Sequence, residues 1–93
     1  MARQLVAKAK WLRAYRRLSD HDQRLVDAAV MRFKYYLNTG QASVGLGVTH
    51  LGGRVYEFRI GLALRSIYVV EQEQAVLLFL GNHDEVRRFL KRQ

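Results

Sequence analysis

The spacing of apolar residues changes at Gly40, and that change restricts the folds open to the chain. Before it, in SDHDQRLVDAAVMRFKYYLNTG, the residues Leu25, Val26, Ala29, Val30, Phe33, Tyr36 and Leu37 recur every three or four positions. That is the period of one helix face. Ser19 stands where an N-cap belongs, Asp20 and Asp22 complement the positive end of the helix dipole, and Asn38-Thr39-Gly40 supplies the stop. Ahead of this helix, KAKWLRAYRRL sets Trp11, Leu12, Tyr15 and Leu18 on one face of a shorter one. Lys8, Lys10, Arg13, Arg16 and Arg17 occupy much of the remainder. Joined at Leu18-Ser19-Asp20, the two helices form an antiparallel hairpin. Residues 3–7 fit a short strand or an extension of the first helix equally well.

After Gly40 the period falls to two. QASVGLGVTHLGG reads as a flexible connector, since Gly45-Leu46-Gly47 lacks the Lys-Ser/Thr of a phosphate loop and leads into a strand. Strands are predicted over 54–60, 63–71 and 75–80, with the short connections of an antiparallel meander. GNHDEVRRFLKRQ closes the chain as a short helix or turn. The expected class is α+β: an N-terminal helical hairpin, with or without a short strand before it, packed on an antiparallel β-sheet. At this length, residues 1–93 form a single domain.

Composition narrows the function classes. There is no cysteine, which removes disulfides and thiolate metal sites. The longest apolar run, AVLLFL, is far too short to cross a bilayer, and charges interrupt the N-terminal residues every few positions. The expectation is a cytoplasmic protein with no membrane partner. Sixteen Lys and Arg against eight Asp and Glu leave a net charge of +8, a field that attracts polyanions. Nucleic acid is the first expectation and an acidic protein the second.

Charge also enters the strands. In GGRVYEFRIGLALRSIYVV, alternation puts Tyr56, Phe58 and Ile60 on one face and Val55, Glu57 and Arg59 on the other. The aromatic face is expected to pack on the helices, which leaves Glu57 and Arg59 on an open, solvated face. Without the register, the face of Arg65 is undetermined. An antiparallel pairing would bring it beside Arg59 or Glu57. The bland reading is a cross-strand ion pair worth less than about 1 kcal/mol. The sharper reading is catalytic, because GNHDEV places His83 and Asp84 in a turn at the end of the sheet, with Arg87 and Arg88 just beyond. A histidine near a glutamate and several arginines is a candidate for proton transfer.

Taken together, WLRAYRRLSDHDQRLVDAAV, LGGRVYEFRIG…LRSIYVV and VLLFLGNHDEVRRF resemble the RelE/ParE superfamily of bacterial type II toxin–antitoxin toxins. The central piece is close to the form L-G-x-G-L-Y-E-L-R-I…Y-R-x-x-Y seen in many members. The resemblance implies a small toxin held inactive by a cognate antitoxin. Many members are ribosome-dependent mRNA endoribonucleases that use no metal and no cofactor, in which the ribose 2′-hydroxyl attacks the adjacent phosphate. ParE-like members inhibit DNA gyrase instead, and a basic RNA-binding domain without toxic activity is a third reading.

On this resemblance the candidate catalytic residues are Glu57, Arg65 and His83. Arg65, and then Arg59, stabilise the phosphorane, whose equatorial oxygens suit the planar guanidinium fork. Glu57 is either the general base for the 2′-hydroxyl or the residue that holds Arg65, and His83 protonates the leaving 5′-oxygen. Arg54, Arg59, Arg87 and Arg88 are the candidate RNA- and phosphate-binding residues. His50 is a weaker acid–base candidate, and His21 is read as structural. Where many nuclease members have a Val-Tyr pair after the last strand, this chain has Val86-Arg87 with Phe89 nearby. The lysines that some members place before the central strand are missing too, and Arg54 stands in their place.

Overall fold

A computed structural model describes residues 4–92. They run as β1 (Gln4–Ala7), α1 (Ala9–Arg16), α2 (Asp20–Thr39), β2 (Thr49–Gly52), β3 (Val55–Ile60), β4 (Leu64–Glu71), β5 (Gln74–Asn82) and α3 (His83–Lys91). The caps read from sequence close α2 at both ends. Ser19 Oγ accepts from the Asp22 amide at 3.1 Å, and Gly40 ends the helix at φ +76°, a left-handed conformation that glycine adopts without strain. The hairpin is tied by Tyr15, whose hydroxyl donates to Asp27 at 2.7 Å and whose carbonyl accepts from Gln23 at 2.9 Å.

The strands make one five-stranded sheet in the order β1-β5-β4-β3-β2. β2 through β5 are antiparallel neighbours, but β1 joins β5 in parallel, with Gln4 opposite Gln74 and Ala7 opposite Leu77. The sheet is therefore mixed, not wholly antiparallel. Residues 4–7 resolve to a strand because the edge of β5 offers them a ladder, a long-range pairing that local sequence does not encode.

One face of the sheet carries the main core. Phe33 of α2 lies 4.4 Å from Phe58 and 4.6 Å from Tyr68, ring centre to ring centre. Trp11 of α1 donates its indole N–H to Ser66 Oγ at 2.9 Å, so two buried polar groups satisfy each other. This bond decides the face of the neighbouring residue. Ser66 points into the core, and Arg65 therefore points out of the other side.

That other side is not open. β5 carries a bulge: Ile67 pairs with Phe79 and Tyr68 with Leu77, leaving Leu78 extra. The bulge keeps Leu77 in the main core and turns Phe79 to the opposite face, where it stacks on Phe89 of α3 at 4.6 Å. α3 packs over β5 and β4 with Val86 buried, and Ile67 and Val76 of that face are buried as well. A second, smaller apolar layer thus roofs part of the face expected to be wet. Its signal in the sequence is Val86 and Phe89, three positions apart on one helix face.

The connector is anchored too. Leu46 is fully buried, its carbonyl accepts from the Arg59 amide at 2.7 Å, and Thr49–Gly52 forms β2. Among the described residues no helix is long and apolar enough to cross a membrane.

Candidate phosphate-binding site

The β3–β4 register settles where the strand charges go. Arg59 is directly opposite Arg65, and Glu57 is opposite Ile67, one diagonal step from Arg65. Arg65 Nη1 meets Glu57 Oε2 at 2.8 Å, the one ion pair among the described residues. Glu57 is only 7% exposed. A buried carboxylate requires a partner, and Arg65 supplies it.

The second arginine has no carboxylate. Like charges directly across an antiparallel pair oppose folding, and Glu57 neutralises only one of the two. The site therefore holds a surplus positive charge that the fold does not need. Arg59 is exposed, and its aliphatic stem runs beneath the connector. A Cβ at Gly47, whose φ is +57°, would stand 3.0 Å from Arg59 Cδ and 3.2 Å from Cγ. Gly47 is thus the residue that lets Arg59 pass, while Leu46 pins the connector to the Arg59 backbone. From sequence, both read as parts of a flexible loop. The available signal is a lone leucine between two glycines, which also suits a buried plug flanked by turns.

His83 is the first residue of α3, not part of a turn. Asn82 caps the helix by accepting from the Glu85 amide at 2.8 Å, and Glu85 Oε1 accepts from the Asn82 amide at 2.9 Å. This reciprocal cap fixes where β5 ends. Arg65 is paired with Gly81, so the chain reaches His83 two residues beyond the partner of Arg65. The His83 side chain is exposed.

The other candidates separate. Arg87 and Arg88 are exposed on α3. Arg54 lies in the turn before β3, five positions from Arg59 and roughly 16 Å from it along the strand. It lines a cavity of about 630 Å³ with Glu71 and Glu73, away from the arginine pair. His50 closes the β2–β3 hairpin, with Nε2 2.8 Å from the Gly53 carbonyl and its ring 4.7 Å from that of Tyr56. His21 is exposed in the first turn of α2.

No protein-family model matches the sequence, and no curated protein does. Solved structures do. A chain of the E. coli DinJ–YafQ toxin–antitoxin complex aligns with a TM-score of 0.71 at 13% identity, covering 92% of this chain and 98% of that one. A chain of the archaeal RelE–RelB complex from Pyrococcus horikoshii aligns at 0.69 and 19% identity, covering 88% and 96%. The YoeB/ParE toxin from Agrobacterium tumefaciens aligns at 0.65 and 19% identity, covering 86% and 98%. The chain has the RelE/ParE toxin fold. Within that RelE-like architecture, the arginine pair stands on the two strands of the β3–β4 hairpin, on the face that α3 partly roofs.

Proposed function

We propose that this protein is the toxin of a type II toxin–antitoxin pair and a metal-independent endoribonuclease that cuts mRNA on the ribosome, so inhibiting translation. The observation that carries the reading is the opposed arginine pair, with one member held by a buried glutamate and the other left unpaired. Such an arrangement costs stability and suits a phosphodiester. The likeness of fold to YafQ, RelE and YoeB/ParE structures supports it.

In this mechanism the ribose 2′-oxygen attacks the adjacent phosphorus and the bond from phosphorus to the 5′-oxygen breaks, giving a 2′,3′-cyclic phosphate and a free 5′-hydroxyl. Arg65 and Arg59 take the non-bridging oxygens, where negative charge grows in the transition state. Glu57 aligns Arg65 and receives the proton of the 2′-hydroxyl. His83, exposed at the start of α3, delivers a proton to the departing 5′-oxygen in place of the phenol that other members place after the last strand. The partner that silences the toxin is a cognate antitoxin, as in the RelE–RelB and DinJ–YafQ complexes. An acidic segment in it would complement the +8 surface.

Inducing the protein alone should stop growth by blocking translation, with primer extension on a reporter message showing cuts at codon boundaries. Arg65→Ala should reduce the cuts by at least about a hundredfold, the scale of losing one preorganised donor. That change also strips the buried Glu57 of its partner, so Arg59→Ala, which leaves the pair intact, should lower the cuts without loss of stability. Intact messages together with DNA damage and lost supercoiling would replace this reading with gyrase inhibition.

A further inference from the structure

β1 pairs only with residues 74–77, so the edge of β5 beyond them is free of a neighbouring strand. α1 borders that edge on one side and α3 on the other. Between them lie two adjoining cavities of about 220 and 210 Å³ that share Lys10, Phe79 and Glu85. Both walls are cationic. One wall has Lys10 of α1 and Arg17, the cap at its C-terminal end, seven residues and about 10 Å apart; the other has Arg88 of α3 and Arg92, the cap at its C-terminal end, four residues and about 6 Å apart. None of the four forms an ion pair among the described residues. The one carboxylate in the groove, Glu85, is engaged in the cap of α3.

The floor is apolar. Leu64 and Leu18 line one cavity, and the stacked rings of Phe79 and Phe89 line the other. Lys10 Nζ stands 5.6 Å from the centre of the Phe89 ring and 5.9 Å from that of Phe79. Cations that follow a track beside an aromatic wall are the recognition chemistry of single-stranded nucleic acid, where phosphates pair with the charges and bases pack on the rings. The groove ends at Gly81, the residue paired with Arg65. That end is one strand spacing, about 5 Å, from the Arg65 backbone.

We propose that the groove between α1 and α3 binds single-stranded RNA, holding nucleotides that flank the phosphate gripped by Arg59 and Arg65. An acidic helix is the competing occupant. It needs a continuous trough for a cylinder about 10 Å across, whereas two small cavities joined at Lys10 suit successive nucleosides. The identity of the strand as substrate rests on the nuclease reading, but the binding itself does not.

The test is fluorescence anisotropy with the full chain and a short labelled RNA carrying 2′-O-methyl groups throughout, which cannot be cut. Arg17→Gln combined with Arg92→Gln should weaken binding about tenfold at low salt and flatten the log–log salt slope by ~1.4, or ~0.7 for each phosphate no longer neutralised. Arg17→Lys with Arg92→Lys keeps both charges and should restore the slope, which separates the removal of charge from a failure to fold. Wild-type affinity and slope in the glutamine variant would overturn the proposal, as would unchanged RNA binding with loss of binding to an acidic antitoxin peptide. A chain that binds this RNA through the groove yet leaves translated messages intact keeps the groove and loses the nuclease.

Discussion

Arg59 and Arg65 lie opposite one another with one carboxylate between them. Replacing Arg59 with alanine removes a like-charge pairing and should raise the unfolding free energy by about 0.2–1 kcal/mol, measured in urea, while cleavage falls. Stability and activity moving in opposite directions is what a residue retained for a ligand does. A residue retained for the fold moves them together. Glu57→Gln acts the other way. It leaves a three-quarters-buried guanidinium without its anion and should cost about 1–3 kcal/mol. Elsewhere on the surface, the Tyr15 phenol is raised above its ordinary value of 10.0, chiefly because its hydroxyl donates to the Asp27 carboxylate, with burial and the nearby negative charge adding to the effect. The folded state holds this proton more tightly than the unfolded chain does. Its contribution to stability is therefore complete below about pH 10 and is lost as pH rises through the raised value. Unfolding curves taken between neutral and strongly alkaline pH should show that loss in the wild type and not in Tyr15→Phe.

At the scale of elements, α2 with its two caps, the three central strands and the hairpin before them were legible, because each is marked by a local period or a cap residue. The connector was not. Its glycines advertise freedom, and nothing local reveals that Leu46 reaches the core or that Gly47 clears a path for Arg59. Leu46→Ala should destabilise the protein by about 2–5 kcal/mol, as for other buried leucines. Gly47→Ala should disturb the arginine face more selectively, since the new methyl meets the Arg59 stem at 3.0 Å. Cleavage should drop further than the melting temperature alone accounts for. The charged face was half legible. Alternation put Glu57 and Arg59 on the side away from the helices, but the roof over that side depends on α3 folding back. That in turn depends on the bulge at Leu78 turning Phe79 outward. A bulge is a property of two paired strands, and one strand read alone does not display it.

Across the whole molecule, the pairing of Gln4 with Gln74 makes the sheet a long-range structure. Folding dominated by such pairings is slow, on the order of milliseconds to seconds. The chain has no proline, so no step limited by peptide-bond isomerisation should appear. Refolding after a brief unfolding pulse and after a long one should give superimposable traces in an interrupted-unfolding experiment. The strand order adds a consequence for synthesis. β5 stands between β1 and β4 in space yet is translated after both, and α3 follows it. A nascent chain halted before residue 74 holds the β3–β4 hairpin with its arginines, but neither the strand that joins the two ends of the sheet nor α3, which packs over β5 and β4. Such a chain lacks the His83 that the proposed mechanism uses. The machine that makes the protein is spared its proposed action until the closing turns have been added.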